Sequence, residues 1–497
     1  MQQETEPNPV HRRKLPSHWP EWLTLAAYAA LVGSTIPYHE PWVDEAQAWQ
    51  LARSLPLTTL FKTYLRYEGH PGLWHLLLSG LVHLGVSYTG MHWVAGAIAL
   101  AGVSLLIFRA PFPRLFRLTL PFTFFLAYQY AVVARGYVLA PLLMFALAIV
   151  WRRSPLLVAL LLGLLGNIAV HLIGISGGLA LAYVLERWRA DRLQPRRPVW
   201  TAAALLLAFF GFAVWTIWPP HDLYFVRLWG GGGLANSIIP YLVAALYSLA
   251  FGLTQPVFLA FFFWGGVLWW LERHHRLVYL LPVAALACLS GYAFSFWHAG
   301  LIVPTLIAIF WIIAEDPALL STPPLSRKRR IVLTAGLLCF IAIQIGWTAY
   351  AVAWDFTRPY SPDLATAKFL TPYVEAGEPI GLTYAGDEDR VAFVSVGLAP
   401  YFSKSIFFNH PRPYWWWSTH ERQPNAFEDL LRQHPPMIVV ESLGAHASDP
   451  PQISSDPKIQ RLQGSGYTLT HIFCGAMPQR FGSREEICHV IYESKVK

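Results

Sequence analysis

The sequence predicts an all-α polytopic membrane bundle followed by a small C-terminal α/β domain. Of its 497 residues, 55% are hydrophobic and only 13% are charged, whereas soluble domains carry about 25% charged residues. Many stretches reach the roughly 20 apolar residues that one membrane-spanning helix needs. From about residue 355 the chain becomes rich in proline, charged and polar residues. These observations favour a membrane domain over residues 1–354 and an extramembrane domain over residues 355–497.

About eleven spans are expected, and basic clusters separate many of them. With eleven spans drawn, every basic cluster falls on one side, which the positive-inside rule identifies as cytoplasmic. The arrangement predicts an inner-membrane protein with a cytoplasmic N-terminus and an extracytoplasmic C-terminal domain. The net charge of +8 is therefore a sign of topology, and no nucleic-acid partner is expected. The predicted spans are residues 19–37, 91–108, 118–134, 137–151, 155–172, 173–186, 199–218, 256–271, 277–295, 300–314 and 331–353.

Two further apolar stretches, residues 72–85 and 237–253, are interpreted as helices at the outer membrane interface. If the first of them also spanned, the basic clusters near Arg109 and Arg152 would move to the outer side, against the positive-inside rule. The alternative is that both stretches are additional spans, which leaves the C-terminus on the same side.

The C-terminal region shows short strand-like runs at residues 380–384 and 437–440, with a helix-like segment at 425–434 between them. This alternation predicts a small α/β domain. Cys474 and Cys488 are expected to form a disulfide in an oxidising compartment, and two free thiols are the alternative. Three consecutive tryptophans, residues 415–417, are interpreted as an interface anchor or as packing, with stacking on a sugar ring as the alternative.

The loop after the first span contains two adjacent carboxylates, Asp44 and Glu45. Placing a carboxylate beside a bilayer costs free energy, so the presence of two indicates a functional role. They open a predicted amphipathic helix, residues 45–55, whose N-terminus favours an ionised carboxylate that is suited to act as a general base. The alternative is that Asp44 is only an N-cap, with Gln47 completing a pair that resembles a capping box.

Other candidates lie at predicted outer ends of spans. His70 is suited to donate to a phosphate or to bind a metal, although a lone histidine is more often a satisfied polar residue. Arg135, between two apolar runs, is suited to hold a lipid phosphate, and the alternative is an arginine that snorkels to the interface. The weaker candidates are His171, His298 and, in an outer loop, Arg227.

Two segments carry a family resemblance. PWVDEAQAWQLARSL and, about a dozen residues later, EGHPGLWHLLL resemble the first outer loop of GT-C class membrane glycosyltransferases. The nearest resemblance is to protein O-mannosyltransferases, lipid A aminoarabinose transferases and bacterial mannosyltransferase-like proteins, the glycosyltransferase family 39-like group. Asp44 and Glu45 match the Asp-Glu pair of these families, and Asp44 corresponds to the residue taken as catalytic base. His70 and Pro71 match a His- or Lys-Pro-Pro-Leu motif, in which Gly72 replaces the usual second proline.

A third segment, YQYAVVARGYVLAPLL, resembles the Arg-x-Tyr-x-Leu segment of the same families. Arg135, Tyr137 and Leu139 carry this match. The sharp motifs are confined to this segment and to the first outer loop, and the C-terminal domain resembles no family.

The resemblance implies a transferase that moves a sugar from a polyprenyl-phosphate donor to a hydroxyl of a lipid, glycan or protein acceptor at the outer face. Asp44 is expected to act as the base of an inverting displacement, and Glu45 to orient the site or assist. Neither a cofactor nor a metal is expected. The alternatives are a non-catalytic lipid-linked saccharide transporter or assembly protein, and a glycan ligase or polymerase of the same architecture. The residues expected to contact the donor phosphate or the substrate are His70, Arg135, Tyr137, Arg227 and His171.

Overall fold

The computed structural model describes residues 18–189, 197–223, 234–254, 257–292, 295–321, 324–385, 394–418, 426–443, 456–483 and 486–495. Most of these residues are helical, and a small sheet follows near the C-terminus. The predicted class, a membrane-embedded helical protein with a small C-terminal α/β domain, is confirmed at this level. Helices long and apolar enough to cross a membrane are Gly90–Arg109, Val170–Arg189, Arg197–Ile217, Phe296–Ala314 and Arg327–Thr357.

The remaining long helices of the bundle are Trp19–Thr35, Leu139–Val150, Pro155–Gly166, Leu234–Phe251, Phe258–Arg273, Leu281–Tyr292 and Ile302–Ala314, the last being the main part of the span that begins at Phe296. Shorter α-helices are Val43–Ser54, Leu57–Thr59, Leu65–Glu68, Leu73–His83, Arg114–Thr119 and Phe296–Ala299. Single 3-10 turns occur at Ile36–Tyr38, Leu120–Phe122, Gly136–Val138, Leu277–Leu280 and Pro317–Ser321, and π turns at Leu60–Tyr64 and Phe125–Gln129.

Two basic residues from separate loops, Arg152 and Arg276, share one set of ion pairs. Arg152 forms ion pairs with Glu186 at 2.6 Å and with Asp316 at 3.2 Å. Asp316 also pairs with Arg276. These four residues lie at the ends of different helices, so the contacts bring those helix ends together.

The predicted span at residues 118–134 is wrong, because no continuous helix covers it. The chain forms the short Arg114–Thr119 helix, a 3-10 turn and a π turn instead. Pro121 lacks the backbone donor that a continuing helix would use. Residues 123–134 are all buried, and irregular backbone is tolerated at membrane depth where protein surrounds it. This irregular segment leads directly into Arg135.

Two other predicted boundaries also need correction. The predicted span at 155–172 ends at Gly166, and the next helix begins at Val170, so His171 opens that helix instead of closing the previous one. The stretch at 237–253 forms the Leu234–Phe251 helix. There Tyr241 donates to the Cys288 carbonyl at 2.9 Å, and Phe251 contacts Phe296. This helix therefore packs against the Leu281–Tyr292 helix.

The stretch at 72–85 forms a short helix, as its interpretation as a helix at the membrane interface requires. It forms the 11-residue helix Leu73–His83, whose length of about 16 Å is too short to cross a bilayer core of about 30 Å. The amide of Leu73 donates to the Asn167 carbonyl at 3.0 Å, and the amide of Val170 donates to the Gly69 carbonyl at 3.1 Å. The turn before this helix is thereby tied to the break between two long helices.

The strands of the C-terminal domain are β1 Ile380–Tyr384, β2 Met437–Leu443, β3 Tyr467–Gly475, β4 Pro478–Gln479, β5 Gly482–Ser483 and β6 Ile487–Ser494. Four of them form a sheet in the order β1-β2-β6-β3. β1 is parallel to β2, whereas β6 is antiparallel to both β2 and β3. The predicted strands and the predicted helix are confirmed. The helices are Asp363–Glu375, Val394–Leu398, Ala426–Gln433 and Pro457–Gly464, with a 3-10 turn at Ala399–Tyr401.

Cys474 and Cys488 form the predicted disulfide. They lie directly opposite each other in β3 and β6. The bond therefore joins two strands of the sheet beside the turn formed by β4 and β5.

We expect replacement of both bridged cysteines by serine to lower the free energy of unfolding of the C-terminal domain. The residues are separated by 14 positions in the sequence, and closing a loop of that size contributes about 3 kcal/mol. A denaturant titration in which limited proteolysis reports unfolding of the domain measures the change. The matched control is the double replacement of Cys288 and Cys339, which are free; equal stability of the two double variants would contradict the prediction.

Candidate functional site

Asp44 and Arg135, which are distant in sequence, meet in the structure. Arg135 Nη1 lies 3.1 Å from Asp44 Oδ2. Asp44 is in the first turn of the Val43–Ser54 helix, and its side chain is 32% exposed, against 12% for Arg135. The carboxylate is thus accessible to a ligand while a guanidinium holds it on one side.

Arg135 is held between aromatic rings. Its guanidinium carbon lies 4.9 Å from the centre of the Trp297 ring and 5.2 Å from that of Tyr137. A cation over aromatic faces is stabilised by the ring quadrupole. Because these rings leave hydrogen-bond donors of the guanidinium unused, Arg135 can bind an anion while it remains next to Asp44.

Glu45 points away from Asp44 into the protein interior, where it is 0% exposed. One of its oxygens accepts from His92 Nε2 at 2.9 Å and from the Ala134 amide at 2.6 Å. The other accepts from the Trp42 amide at 2.7 Å and from His39 Nε2 at 3.4 Å. Glu45 therefore fixes the residues adjacent to both Asp44 and Arg135. Its burial keeps Glu45 away from any substrate, and its contacts suit it to orient the site, which is the first of the two roles that the sequence suggests for it.

The same contacts decide how the helix begins. Trp42 occupies the N-cap position, and its amide donates to Glu45 three residues later, as in half of a capping box. The alternative that Asp44 is merely the N-cap is therefore wrong. Asp44 is the second residue of the helix, within its first turn, and its carboxylate does not occupy the N-cap position.

His39, Tyr128 and Asp355 extend this buried network, and sequence reasoning missed all three. His39 Nδ1 donates to Asp355 at 3.1 Å, and the Tyr128 hydroxyl donates to the other oxygen of Asp355 at 2.9 Å. Burial lowers the pKa of His39, but the carboxylates of Asp355 and Glu45 outweigh it and raise this pKa to about 10. Burial likewise opposes ionisation of Glu45, yet its histidine partners hold its pKa well below the usual range. The network is therefore a chain of buried charges of alternating sign.

Two residues of this buried network, His92 and Asp355, stand out in the sequence by their positions. His92 lies inside a predicted span and Asp355 just beyond the last one. Polar and ionisable residues at such positions are rare and usually mark a functional or paired group. His39, Glu45 and His92 also form a set whose candidate ligand atoms lie within 4.8 Å of one another. Hydrogen bonds among these buried groups already account for that arrangement.

His70 lies close to Arg135, and its two ring nitrogens have different partners. Its Nδ1 contacts the Glu68 carbonyl at 2.8 Å, and since a carbonyl only accepts, Nδ1 carries the proton. Burial and the nearby Arg135 charge lower the pKa of His70 to about 4, so the ring is neutral near pH 7. Its Nε2 then presents a lone pair, which lies 3.5 Å from the Tyr137 hydroxyl.

Gly72 explains the departure from the family motif. Its φ is +117°, in the region that favours glycine, whereas proline is fixed near −65°. A Cβ at this position would also lie 2.5 Å from a ring carbon of Phe61. The turn therefore requires glycine where the resembling families have proline.

Tyr137, His171 and His298 form the other side of the site. The Tyr137 hydroxyl lies 2.8 Å from His298 Nε2, and His298 Nδ1 lies 2.6 Å from the Ser295 hydroxyl. The His171 ring stacks on that of His298 with centres 3.8 Å apart. His70, Tyr137 and His171 are therefore brought together with Arg135. The remaining candidate, Arg227, lies outside the described residues.

The aromatic segment 414–417 of the C-terminal domain packs directly on the Val43–Ser54 helix. Gln47 Oε1 accepts from the Trp415 amide at 2.9 Å, and its Nε2 donates to the Trp415 carbonyl at 3.1 Å. Trp415 is buried, and the Trp416 ring contacts Tyr64 and Arg412. These contacts support packing as the role of the tryptophans, the interpretation preferred from the sequence.

An apolar groove of about 370 Å³ adjoins the turn that carries His70. Its size is within the range of ligand pockets, about 300–1,000 Å³. Gly72, two residues from His70, is part of its lining, and the other lining residues come mainly from the Leu73–His83, Pro155–Gly166 and Arg197–Ile217 helices. The residues that line it are Phe61, Gly72, Leu73, Leu76, Leu164, Asn167, Leu205, Ala208, Phe209 and Phe212.

Comparison of the chain with known protein families, with curated proteins and with solved structures finds no match.

We expect Glu45→Gln to lower the stability of the whole protein by about 3–5 kcal/mol, because removing one member of a buried charge network leaves its partners uncompensated. Thermal unfolding in detergent measures this loss. Asp44→Asn is the matched control, since its more exposed pair contributes about 1 kcal/mol or less. If both variants unfold at the same temperature, Glu45 does not hold the site together.

Proposed function

We propose that the protein is an integral-membrane glycosyltransferase that moves a sugar from a polyprenyl-phosphate donor to an acceptor hydroxyl at the outer face of the cytoplasmic membrane. The observation that carries this proposal is the ion pair between Asp44 and Arg135, beside an apolar groove at the same end of the bundle. Such a transfer needs a base for the acceptor hydroxyl, a cation for the donor phosphate and an apolar groove for the lipid chain. The number of spans, about eleven, and the outward orientation of the site belong to this proposal.

The groove is suited to the lipid part of the donor. Its lining is almost entirely apolar, so burying a hydrocarbon chain there is favourable at about 25 cal/mol per Å². The groove is lined by Gly72, in the same turn as His70, which lies near Arg135. A lipid in the groove would therefore bring its phosphate towards the guanidinium.

Arg135 is suited to bind the donor phosphate and to stabilise it as it leaves. Charge develops on the phosphate as the bond from the anomeric carbon to oxygen breaks, and a prearranged guanidinium favours that charge. The Tyr137 ring contacts the same cation, and its hydroxyl is a second candidate donor. Neutral His70 would accept a hydrogen bond instead, so its role would be to orient Tyr137.

Asp44 is suited to take the proton of the acceptor hydroxyl. An alcohol is too weak an acid to ionise in advance, so the base must act as the new bond to the anomeric carbon forms. The acceptor oxygen attacks from the side opposite the departing phosphate, which inverts the anomeric configuration. Glu45 and its partners would keep Asp44 and Arg135 at a fixed separation, because catalysis of this kind depends on position.

The two alternatives differ in what they need. A transporter needs charged or polar groups deep within its spans, whereas the described ion pairs of the bundle lie near helix ends. This favours chemistry at the membrane surface. A ligase or polymerase uses the same parts with a larger donor and differs from the proposal only in the substrate.

Asp44→Asn should reduce transfer by at least about 100-fold, since a positioned general base contributes about 10²–10⁴ to the rate. Insertion and folding should be unchanged. Membrane fractions assayed with radiolabelled polyprenyl-phosphate sugars measure transfer. Glu40→Gln is the control, because Glu40 accepts from the Ser361 amide and not from the site; an active Asp44→Asn variant would refute the role.

Ala208→Trp should raise the KM for the lipid donor by about tenfold or more, because an indole in the groove competes with the hydrocarbon chain. Its neighbour Leu207 is 70% exposed and does not line the groove. Leu207→Trp is therefore a matched control with the same added ring. Equal KM values for the two variants, measured with donors of varied chain length, would show that the lipid binds elsewhere.

A further inference from the structure

Glu68 differs from the other carboxylates of the site in its partners. Asp44 pairs with Arg135, and Glu45 has two histidines. Among the residues that the structure describes, Glu68 forms no ion pair, and its side chain has one hydrogen bond, from Gln47 Nε2 to Oε1 at 2.7 Å. A partly buried carboxylate without a cation is costly, so its presence beside a ligand site indicates a function.

Gln47 fixes the direction in which Glu68 points. Its amide is held in place by both the N–H and the carbonyl of Trp415. Gln47 lies three residues after Asp44 on the same helix, which puts both side chains on one face. Glu68 is therefore held on the Asp44 side of the pocket. Its second oxygen accepts no hydrogen bond from any described residue and is available to a ligand.

The charges around Glu68 are unbalanced. Burial raises its pKa and the nearby Asp44 raises it further, while Gln47 and Arg135 lower it, and the result is a pKa of about 7. His70 on the same turn has its pKa lowered to about 4 by burial and is neutral. Arg135 is thus the one described cation that acts on both Glu68 and Asp44. More distant charges on the surrounding elements are engaged elsewhere, namely Arg66 with the Trp218 carbonyl, Asp222 with Tyr67, and Arg412 with the Trp416 ring.

We propose that Glu68 takes up one proton when the donor phosphate binds and then donates a hydrogen bond to that phosphate. This inference rests on the proposed function, which brings the phosphate to Arg135. An incoming phosphodiester adds a third anion to a pocket with one guanidinium, and like charges favour protonation of the group that ionises least readily. The proton comes from water, adds to the carboxylate oxygen, and returns to water when the carrier leaves. No other bond changes in this step.

Proton uptake makes donor binding depend on pH in a defined direction. If binding raises the pKa of Glu68, the affinity is highest below the free value of about 7 and falls above it. The fall is about tenfold per pH unit until the pKa of the bound state is reached, because one proton is linked to binding. The phosphodiester itself stays singly charged across this range, so its own titration does not contribute.

The direct test is calorimetric titration of the full-length protein in detergent with a C55 polyprenyl methyl phosphodiester. Titrations at one pH, in buffers of different ionisation enthalpy, count the protons taken up. From a free pKa of about 7 we expect about 0.9 proton at pH 8 and about 0.5 at pH 7. For Glu68→Gln, which is uncharged at every pH, we expect less than about 0.2 proton and an affinity that is nearly constant from pH 6 to 8.5.

Two further variants separate this role from a structural one. Glu68→Asp retains a titrating group and should restore most of the uptake. Asp363→Asn is the matched control, because burial also raises the pKa of Asp363 to about 7, but its carboxylate is bonded to Ser361 in the C-terminal domain. This control should take up as many protons as the wild type.

The outcomes are distinguishable. Uptake that persists in Glu68→Gln, or tight binding by the wild type without uptake, overturns the role of Glu68 and leaves the proposed function intact. Loss of uptake in Asp363→Asn also overturns it, because the proton would then bind elsewhere. Failure of the wild type to bind the phosphodiester at all contradicts the proposed function, and the inference with it.

Discussion

The structure depends on one buried carboxylate. Glu45 accepts hydrogen bonds from four donors on three parts of the chain, so it joins the Val43–Ser54 helix to the Gly90–Arg109 helix and to the irregular segment before Arg135. An isolated carboxylate in this position would be prohibitively costly. His39 and His92 compensate it, and Asp355 compensates His39 in turn. Glu45 directly follows Asp44, and its partner Ala134 directly precedes Arg135. The hydrogen bond between Glu45 and Ala134 therefore sets the separation of Asp44 and Arg135.

The C-terminal domain is part of the site in this arrangement. The aromatic segment 414–417 covers the Val43–Ser54 helix. Gln47 of that helix connects the Trp415 backbone to Glu68. The disulfide between β3 and β6 supports the sheet of the same domain. Motion of the domain would therefore change the pocket beside Asp44, because Gln47 and Glu68 are held through its backbone.

The sequence carried some of these features and not others, for physical reasons. Hydropathy and basic clusters correctly predicted the helical bundle, because burial in lipid requires long apolar helices. They failed at residues 118–134, because an irregular segment surrounded by protein is as apolar as a helix surrounded by lipid. Asp44 and Arg135 were predictable as exceptions to the charge pattern. The partners of Glu45 were not identified, because pairing between residues 45, 92 and 355 depends on tertiary contacts that composition does not reveal.

The most direct test of the central claim is an electron cryomicroscopy structure in a lipid nanodisc with a polyprenyl phosphodiester bound. The account predicts a phosphate oxygen about 2.7–3.2 Å from the guanidinium of Arg135, with the lipid chain in the groove at Gly72 and the carboxylate of Asp44 facing the opposite side of the phosphate-bearing carbon. A phosphate at the other end of the bundle, beside Arg152 and Arg276, would contradict the account.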